Sequence, residues 1–436
     1  MKLTSILSAF ALAALAGSAV AQTTINITGA TAFRQGAIQT IKTTFAGGLV
    51  DLAYTGTVAI NGEELAAQSI FRGNYPGITG TTVIRATWSG SVEGIRDVAT
   101  NQNTNFLTTG AFALGSNSPG GTNPASTLNK GAVPAGTDPA IPRFAFSDVA
   151  ASTSPFNVSS VTSTPVGVLP FFAVINESGA AVTDITNMQS DKFGQLASVG
   201  TKTAAYMFGS TDTRPVYVTG RNDLSGTRST YLALSRGPTD VLTGDVAAIV
   251  QQWRPTVASG AITVLRLWPT LAQGATANEV SSVWTNVDTA GNGGFNSGGT
   301  VATALGATSS GVSLRGPTNN IISASANVLL VSVVGLSDTR TARAAGAKIL
   351  AWNGVLPNPN VSGNLDATTV GQISDGSYTC WSYEQLVAKN GLTADEITFQ
   401  TALLGSLDSS LGSAGIPLSS VVAFRNGDGT YVLGGD

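Results

Sequence analysis

Three hydroxyl side chains stand where a strand-like segment gives way to a helix-like segment: Thr31, Ser91 and Ser225. The first turn of a helix leaves backbone N–H groups unpaired and carries a partial positive charge, so several such ends pointing inward can hold an oxyanion without a metal. Ser and Thr are also the ordinary N-cap residues, and each position taken singly is better explained as a simple cap. The anion chemistry therefore depends on the three positions acting together.

A second group of polar residues lies in one short run, Arg221-Asn222-Asp223-Leu224-Ser225-Gly226-Thr227. The guanidinium of arginine is a planar fork that fits two oxyanion oxygens, and Asp223 can orient it through a salt bridge. Gly226 allows a ligand to approach the backbone, while the flanking hydroxyls add donors. On these residues alone, Arg221 with Asp223 is better explained as a weak surface ion pair.

Asp148 follows an apolar segment, RFAFSDVA, that is typical of a buried strand. An ionised carboxylate only accepts hydrogen bonds, so at an anion site it would favour a ligand that still has a proton to donate. Phosphate at neutral pH has such a proton and sulfate does not. The alternative, a helix cap with Ser147 beside it, stays open.

The elements that must position these residues alternate between strands and helices. Strand-then-helix patterns occur at 23–45, 81–100 and 214–237, and apolar runs at 164–176, 261–268 and 326–336 predict further strands. Helical spacing covers 242–253, 338–352 and 393–407, and a hairpin is predicted around 426–429. Segments 101–142 and 286–311, rich in Gly, Asn and Thr, predict long loops. The fold class predicted is α/β.

Composition excludes several kinds of chemistry. The chain has no histidine, which removes Ser-His triads and histidine-dependent zinc sites, and its single cysteine, Cys380, allows no internal disulfide. A net charge of −3 with 11% charged residues gives no basic surface for nucleic acid. Residues 1–21 have the three-part pattern of a secretory signal cleaved after Ala21, which predicts a periplasmic or extracellular mature protein without a membrane span.

Four segments in order resemble the phosphate-binding proteins of ABC importers, in the type II periplasmic binding-protein superfamily. Gly29-Ala30-Thr31-Ala32-Phe33 resembles that family's first anion-contacting turn, and Gly90-Ser91-Val92-Glu93-Gly94 resembles its second. The strand end Phe144-Ala145-Phe146-Ser147-Asp148 and the turn from Arg221 to Thr227 resemble the third and fourth. The resemblance implies no catalytic residue, no metal and no cofactor. The ligand contacts it implies are Thr31, the amide of Ala32, Ser91, Asp148, Arg221, Ser225, Gly226 and Thr227, with Asp223 supporting Arg221.

The same resemblance implies a two-lobed, periplasmic binding-protein-like II fold with the ligand in the cleft. Lobe one would comprise 22–167 plus 377–436, and lobe two 168–376. The function implied is capture of phosphate or a similar tetrahedral oxyanion by a monomeric, non-enzymatic protein, with an ABC permease as its partner. Two departures from the family pattern matter: Glu93 replaces a glycine beside the anion turn, and the 101–142 segment is inserted between two site segments.

Two other functions remain open on the sequence. Low charge, long Gly/Asn/Thr loops and extra length favour an extracellular surface or matrix protein that kept the fold without transport. A secreted phosphatase-like enzyme would need a metal or nucleophile cluster, and none is legible in the sequence.

Overall fold

The structure is a computed structural model of the full chain. It describes residues 22–59, 62–118, 129–176, 182–236, 250–276, 289–359, 365–411 and 415–433. The predicted signal at 1–21 and residues 242–249 of the predicted helix 242–253 lie outside the described residues. The described remainder, 250–253, is not helical, and a strand begins at Trp253.

Most of the strands belong to one mixed sheet of thirteen strands. Its order is β12-β13-β18-β10-β21-β9-β1-β4-β3-β2-β7-β6, with β19 paired to β10. The strands are β1 (Gln22–Gly29), β2 (Leu49–Thr55), β3 (Gln68–Asn74), β4 (Thr81–Thr87), β5 (Thr104–Phe106), β6 (Ser116–Asn117), β7 (Asn129–Val133), β8 (Asp138–Ala140), β9 (Phe144–Ser147), β10 (Val161–Ile175), β11 (Asn187–Met188), β12 (Thr201–Thr203), β13 (Pro215–Val218), β14 (Trp253–Ala258), β15 (Ala261–Leu267), β16 (Val312–Arg315), β17 (Ile321–Ala326), β18 (Leu329–Gly335), β19 (Lys348–Ile349), β20 (Ala351–Trp352) and β21 (Trp381–Lys389).

Helices pack on the sheet and bury their apolar faces. The helix from Ser91 to Thr100, for example, buries Val92, Ile95 and Val98, which lie three residues apart on one face. The helices of the described residues are α1 (Arg34–Thr44), α2 (Ser91–Thr100), α3 (Ser190–Val199), α4 (Ala204–Phe208), α5 (Gly226–Arg236), α6 (Gly298–Leu305), α7 (Leu336–Ala344), α8 (Ala367–Ser374) and α9 (Ala394–Ser410). None of them is long and apolar enough to cross a membrane.

The long strand β10 joins two halves of the main sheet. Its first part, up to Pro170, pairs antiparallel with β21, whereas Phe171–Ile175 pairs antiparallel with β18. Residues 166–175 are buried on both faces, which agrees with the continuous apolar run read from the sequence. The fold class predicted, α/β with two lobes, is confirmed by this arrangement, and the change of partner lies close to the predicted crossing at 167. The domain boundaries themselves stay a prediction.

A separate four-stranded sheet is formed by β14, β15, β16 and β17, in that order. The pairs β14–β15 and β16–β17 are antiparallel, and β15–β16 is parallel. Trp268, which follows β15, is fully buried and packs against Phe295 with ring centroids 4.8 Å apart. This contact joins the small sheet to the loop that carries Phe295.

Both predicted long loops contain regular structure. In the described part of 101–142, β7 pairs with β2 and β5 pairs with β8. These short polar strands are specified by backbone pairing with distant segments, which side-chain alternation does not reveal. In the described part of 286–311, α6 begins with two glycines that look like loop, but Val301 and Leu305 bury its inner face.

The end of the chain also differs from the predictions. The predicted helix over 338–352 ends at Ala344, because Gly346 takes a φ of 103° and the chain turns into β19. The predicted hairpin is reduced, in the described residues 415–433, to one bridge between Phe424 and Leu433 around a turn in which Thr430 N–H donates to Gly427 O at 3.2 Å.

Candidate functional site

Arg221 lies in the loop between β13 and α5 and is only 2% exposed. Its Nε donates to Phe295 O at 3.2 Å, its Nη2 to Asn296 O at 3.0 Å and its Nη1 to Thr31 Oγ1 at 3.1 Å. One guanidinium therefore ties together three segments that are far apart in the chain. Among the described residues Arg221 makes no ion pair.

The electrostatic surroundings of Arg221 include residues that the sequence did not single out. Burial lowers the pKa of Arg221, and the negative charges of Asp338 and Asp148 oppose this shift without cancelling it. Asp338 lies in the first turn of α7, and its own pKa is raised by burial against the opposing charges of Arg221 and Arg34. Arg34 and Asp338 carry no motif of their own; only the fold brings them beside Arg221.

Asp148 accepts hydrogen bonds from two of the predicted hydroxyls. Ser91 Oγ donates to Asp148 Oδ1, and Thr227 Oγ1 donates to Asp148 Oδ2 at 3.2 Å. The carboxyl is 1% exposed, and burial raises its pKa to about 6, although the backbone N–H of Asp148 itself and the charge of Arg221 pull in the other direction. The carboxyl is thus ionised at neutral pH and titrates in mild acid. The alternative role as a helix cap is not seen, since the turn after it is capped at Ala150.

A second buried carboxyl interacts electrostatically with Asp148. Glu384, on β21, is fully buried, and its pKa is raised well above the ordinary value, first by burial and then by the charge of Asp148. The amide of Ser147 opposes this rise. Glu384 lies in a strand that also contains Ser382, Gln385 and Lys389, so the local sequence carries no signal of its burial.

The start of α2 is occupied by protein atoms. The N–H groups of Val92 and Glu93 donate to Leu224 O at 3.1 and 3.2 Å. Leu224 belongs to the turn after Arg221, so this turn and the start of α2 are in direct contact. The N-cap of α2 is Gly90, with a φ of 147°, and the predicted cap Ser91 is its first helical residue instead. Only glycine tolerates this backbone conformation readily, which moves the cap by one position.

The other two predicted helix starts differ from each other. Ser225 caps α5 as predicted, because Arg228 N–H donates to Ser225 Oγ at 3.4 Å. Thr31 lies three residues before α1, in a turn, and contacts Arg221 through its hydroxyl. Ala32, in the same turn, is buried close to Gly335 at the start of α7, where an added Cβ would lie 3.2 Å from Ala32 Cβ.

Glu93 and Asp223 are the two acidic residues whose roles the sequence left undecided. Glu93 pairs with Arg96 at 3.0 Å on the surface of α2, and burial together with the charge of Asp97 raises its pKa. Its charge acts on Arg96 and also on Arg221, so this departure from the family pattern affects the electrostatic surroundings of Arg221. Asp223 is buried, but the carboxylates that act most strongly on Arg221 are Asp338 and Asp148, so the orienting role of Asp223 stays a prediction.

The structure thus brings five predicted residues into two hydrogen-bonded groups, which we together call the Arg221 cluster: Arg221 with Thr31, and Asp148 with Ser91 and Thr227. The charges of Arg221 and Asp148 act on each other and link the two groups. Ser225, Gly226 and Ala32 lie in the same turns. In the part of the chain that is described, no group of three or more His, Cys, Asp or Glu side chains could hold a metal ion. The roles of the cluster residues and of Ser225, Gly226 and Ala32 as ligand contacts stay predictions.

Gly226 lies where the cluster is tightest. A Cβ added there would overlap Asp148 Oδ1 and lie 2.6 Å from Ser91 Cβ. We expect Gly226→Ala to lower the free energy of unfolding by roughly 1–3 kcal/mol, the usual cost of overpacking. Urea denaturation measures this effect.

The matched control is Gly405→Ala in α9, where nothing lies within 4 Å of the added atom. Alanine is the better helix former, so this variant should be as stable as the wild type or more stable. Equal stability of the Gly226 and Gly405 variants would show that the cluster is not packed as described.

The chain is an α/β protein whose two sheet halves meet at a buried arginine and hydroxyl cluster, the two-lobed class that its motifs predicted. No protein-family model matches it and no curated protein matches it in sequence. In structure it resembles phosphate-binding proteins of ABC importers, each at low identity.

Three solved structures illustrate the likeness. PstS from Borrelia burgdorferi is 11% identical, with 89% of this chain and 96% of that chain covered and a TM-score of 0.36. An ABC-type phosphate transport receptor from Vibrio cholerae is 10% identical, with coverages of 89% and 96% and a TM-score of 0.40. A high-affinity periplasmic phosphate-binding protein, PfluDING, is 13% identical, with coverages of 91% and 92% and a TM-score of 0.39.

Proposed function

We propose that this chain is a non-enzymatic, exported binding protein that captures phosphate or a similar tetrahedral oxyanion at the Arg221 cluster. The observation that carries the proposal is the burial of Arg221 without an ion pair among the described residues. A buried charge is costly unless it is paired, and an oxyanion would pair it. The hydroxyl of Thr31 accepts from Arg221, and those of Ser91 and Thr227 donate to Asp148; on ligand binding these hydroxyls would supply neutral donors to the oxyanion.

Ligand entry requires the turn after Arg221 to separate from α2. In the structure, the Leu224 carbonyl takes the amide donors of Val92 and Glu93 that a helix start would otherwise offer to an anion. Hinge opening between the proposed lobes 22–167 plus 377–436 and 168–376 would free these amides, and closure on an oxyanion would replace the carbonyl with the ligand. The bound oxyanion would then lie between Arg221 and the start of α2.

Asp148 supports selection for a protonated oxyanion. Above its pKa of about 6 this carboxylate only accepts hydrogen bonds, so a ligand must bring a proton to it. Hydrogen phosphate and arsenate meet this condition and sulfate does not. An ABC permease is the partner proposed for a protein of this kind.

The test is a thermal-shift and calorimetry panel at pH 7.5 with phosphate, arsenate, sulfate and methylphosphonate. Phosphate and arsenate should raise the melting temperature because they bind only the native state, and sulfate should not. Asp148→Asn can donate as well as accept, so it should admit sulfate and lose the preference for phosphate by tenfold or more, the order of effect expected for one buried hydrogen-bond mismatch (~1–3 kcal/mol). Absence of any anion response in the wild type would refute the proposal.

A further inference from the structure

Three arginines are directly opposite one another on the four-stranded sheet. Arg254 on β14 pairs with Arg266 on β15, and Arg266 pairs with Arg315 on β16. Residues that are paired across strands project from the same face of a sheet. We call this row the arginine ladder.

The ladder concentrates positive charge in a chain that has little of it. Only 22 of 436 residues are lysine or arginine. Like charges directly opposite each other destabilise a sheet. The charges of Arg254 and Arg315 add to burial in lowering the pKa of Arg266. The arrangement is thus unfavourable for folding unless something offsets the repulsion.

Two members of the ladder, Arg266 and Arg315, are held by carbonyl groups of the described residues. Arg266 donates through Nε to Pro317 O at 3.1 Å and through Nη2 to Gln273 O at 2.8 Å, and Arg315 Nη1 reaches Asn319 O at 3.4 Å. Neither Arg266 nor Arg315 forms an ion pair with a described residue. Arg315 Nε is buried and makes no hydrogen bond there. The carbonyls hold the guanidiniums of Arg266 and Arg315 in place, and no carboxylate of a described residue forms an ion pair that would compensate their charge.

We propose that the arginine ladder is a second anion site, which binds a linear oligophosphate. Neighbouring strands are about 4.8 Å apart, so the three arginines extend over roughly 10 Å across the sheet. A single tetrahedral anion meets only part of such a row, whereas a chain of linked phosphates carries a charge on every unit and can lie along all of it. Arginine forks are the side chains best matched to phosphate oxygens.

The ladder is separate from the Arg221 cluster but close to it. The Arg254 guanidinium carbon lies 5.7 Å from the Trp268 ring centroid, and Trp268 packs against Phe295, whose carbonyl accepts from Arg221. An aromatic pair therefore stands between the two groups. The two groups therefore share no arginine, and each can be changed by substitutions of its own.

The test is titration calorimetry of the mature chain with inorganic tripolyphosphate, with saturating orthophosphate present so that the Arg221 cluster does not contribute. Wild type should bind, with an affinity that falls as NaCl is raised. Arg266→Gln should weaken binding by roughly tenfold or more, the size expected for one charge-assisted hydrogen-bonding group. Arg315→Gln, which changes a side chain bonded only within its own turn, is the second variant if Arg266→Gln does not fold.

The matched control is Arg343→Gln. Arg343 is likewise half-buried, and it donates to a backbone carbonyl, Pro359 O, at 2.7 Å, but it lies in α7, outside the ladder. It should bind tripolyphosphate as wild type does. Equal affinities for wild type and both ladder variants would overturn the proposal. So would loss of tripolyphosphate binding in Arg221→Met, which would place the ligand at the cluster. Failure of orthophosphate to bind would count against the proposed function alone.

Discussion

Arg221→Met is expected to abolish the response to phosphate. Methionine fills much of the same buried space but removes the guanidinium that joins Thr31, Phe295 and Asn296. Removing a buried charged partner from a complex costs about 2–5 kcal/mol, so affinity should fall by roughly thirtyfold to several thousandfold. Calorimetry at pH 7.5, with the melting temperature followed in parallel, measures the loss.

The control is Arg425→Met. Arg425 is also a buried arginine that donates to carbonyls, those of Thr379 and Thr430, but it contacts the Trp381 ring rather than the cluster. This variant should lose stability and keep its phosphate affinity. Phosphate affinity that survives in Arg221→Met would contradict the proposed function, whatever its effect on stability.

Asp148 is expected to make the stability of the folded protein depend strongly on pH. The pKa of Asp148 is raised in the folded protein to about 6 from an ordinary 3.8, because the carboxyl is buried. The native state therefore binds a proton more tightly than the unfolded state does, and the stability this confers is present below pH 4 and lost as the pH rises through 6. Two pKa units correspond to about 3 kcal/mol. Glu384, whose pKa is raised in the same direction, extends the loss to higher pH.

Asp148→Asn should remove this contribution. Between pH 3.5 and pH 8, the free energy of unfolding of the wild type, measured with urea, should fall. That of Asp148→Asn should fall by about 3 kcal/mol less over the same range. The control is Asp366→Asn at the N-cap of α8. There, burial would raise the pKa of Asp366, but hydrogen bonds from Thr369 outweigh it and lower the pKa. Stability from Asp366 is lost as pH falls, so the control changes the pH profile in the opposite sense. Parallel profiles for wild type and Asp148→Asn would contradict the burial of an ionisable Asp148.

The elements that the sequence predicted best are those whose apolar pattern is local. The run at 164–176 needed no partner to be recognised as a buried strand, and β10 is buried from 166 to 175. Likewise the spacing of Val92, Ile95 and Val98 in the sequence marks the buried face of α2. The predicted loops failed for the opposite reason, because β7 depends on its pairing with β2 and β6, and α6 begins at glycines.

The residues of the site also fall into two groups, those that the local sequence identifies and those that only the fold identifies. Motif order alone selected Thr31, Ser91, Asp148, Arg221 and Thr227, and the fold brings these five side chains into the two groups of the Arg221 cluster. Glu384, Asp338 and Arg34 were not found, because their importance comes from charges acting through space between residues distant in sequence.

The sequence by itself determined the α/β alternation, the hydroxyls at strand-to-helix junctions and the absence of histidine chemistry, since each depends on residue type and local spacing. Only the tertiary structure decided which donors are engaged. It directs the amides of Val92 and Glu93 to the Leu224 carbonyl and places Glu384 behind Asp148. It also aligns Arg254, Arg266 and Arg315 across three strands, because strand register is set by pairing between segments that the sequence keeps far apart.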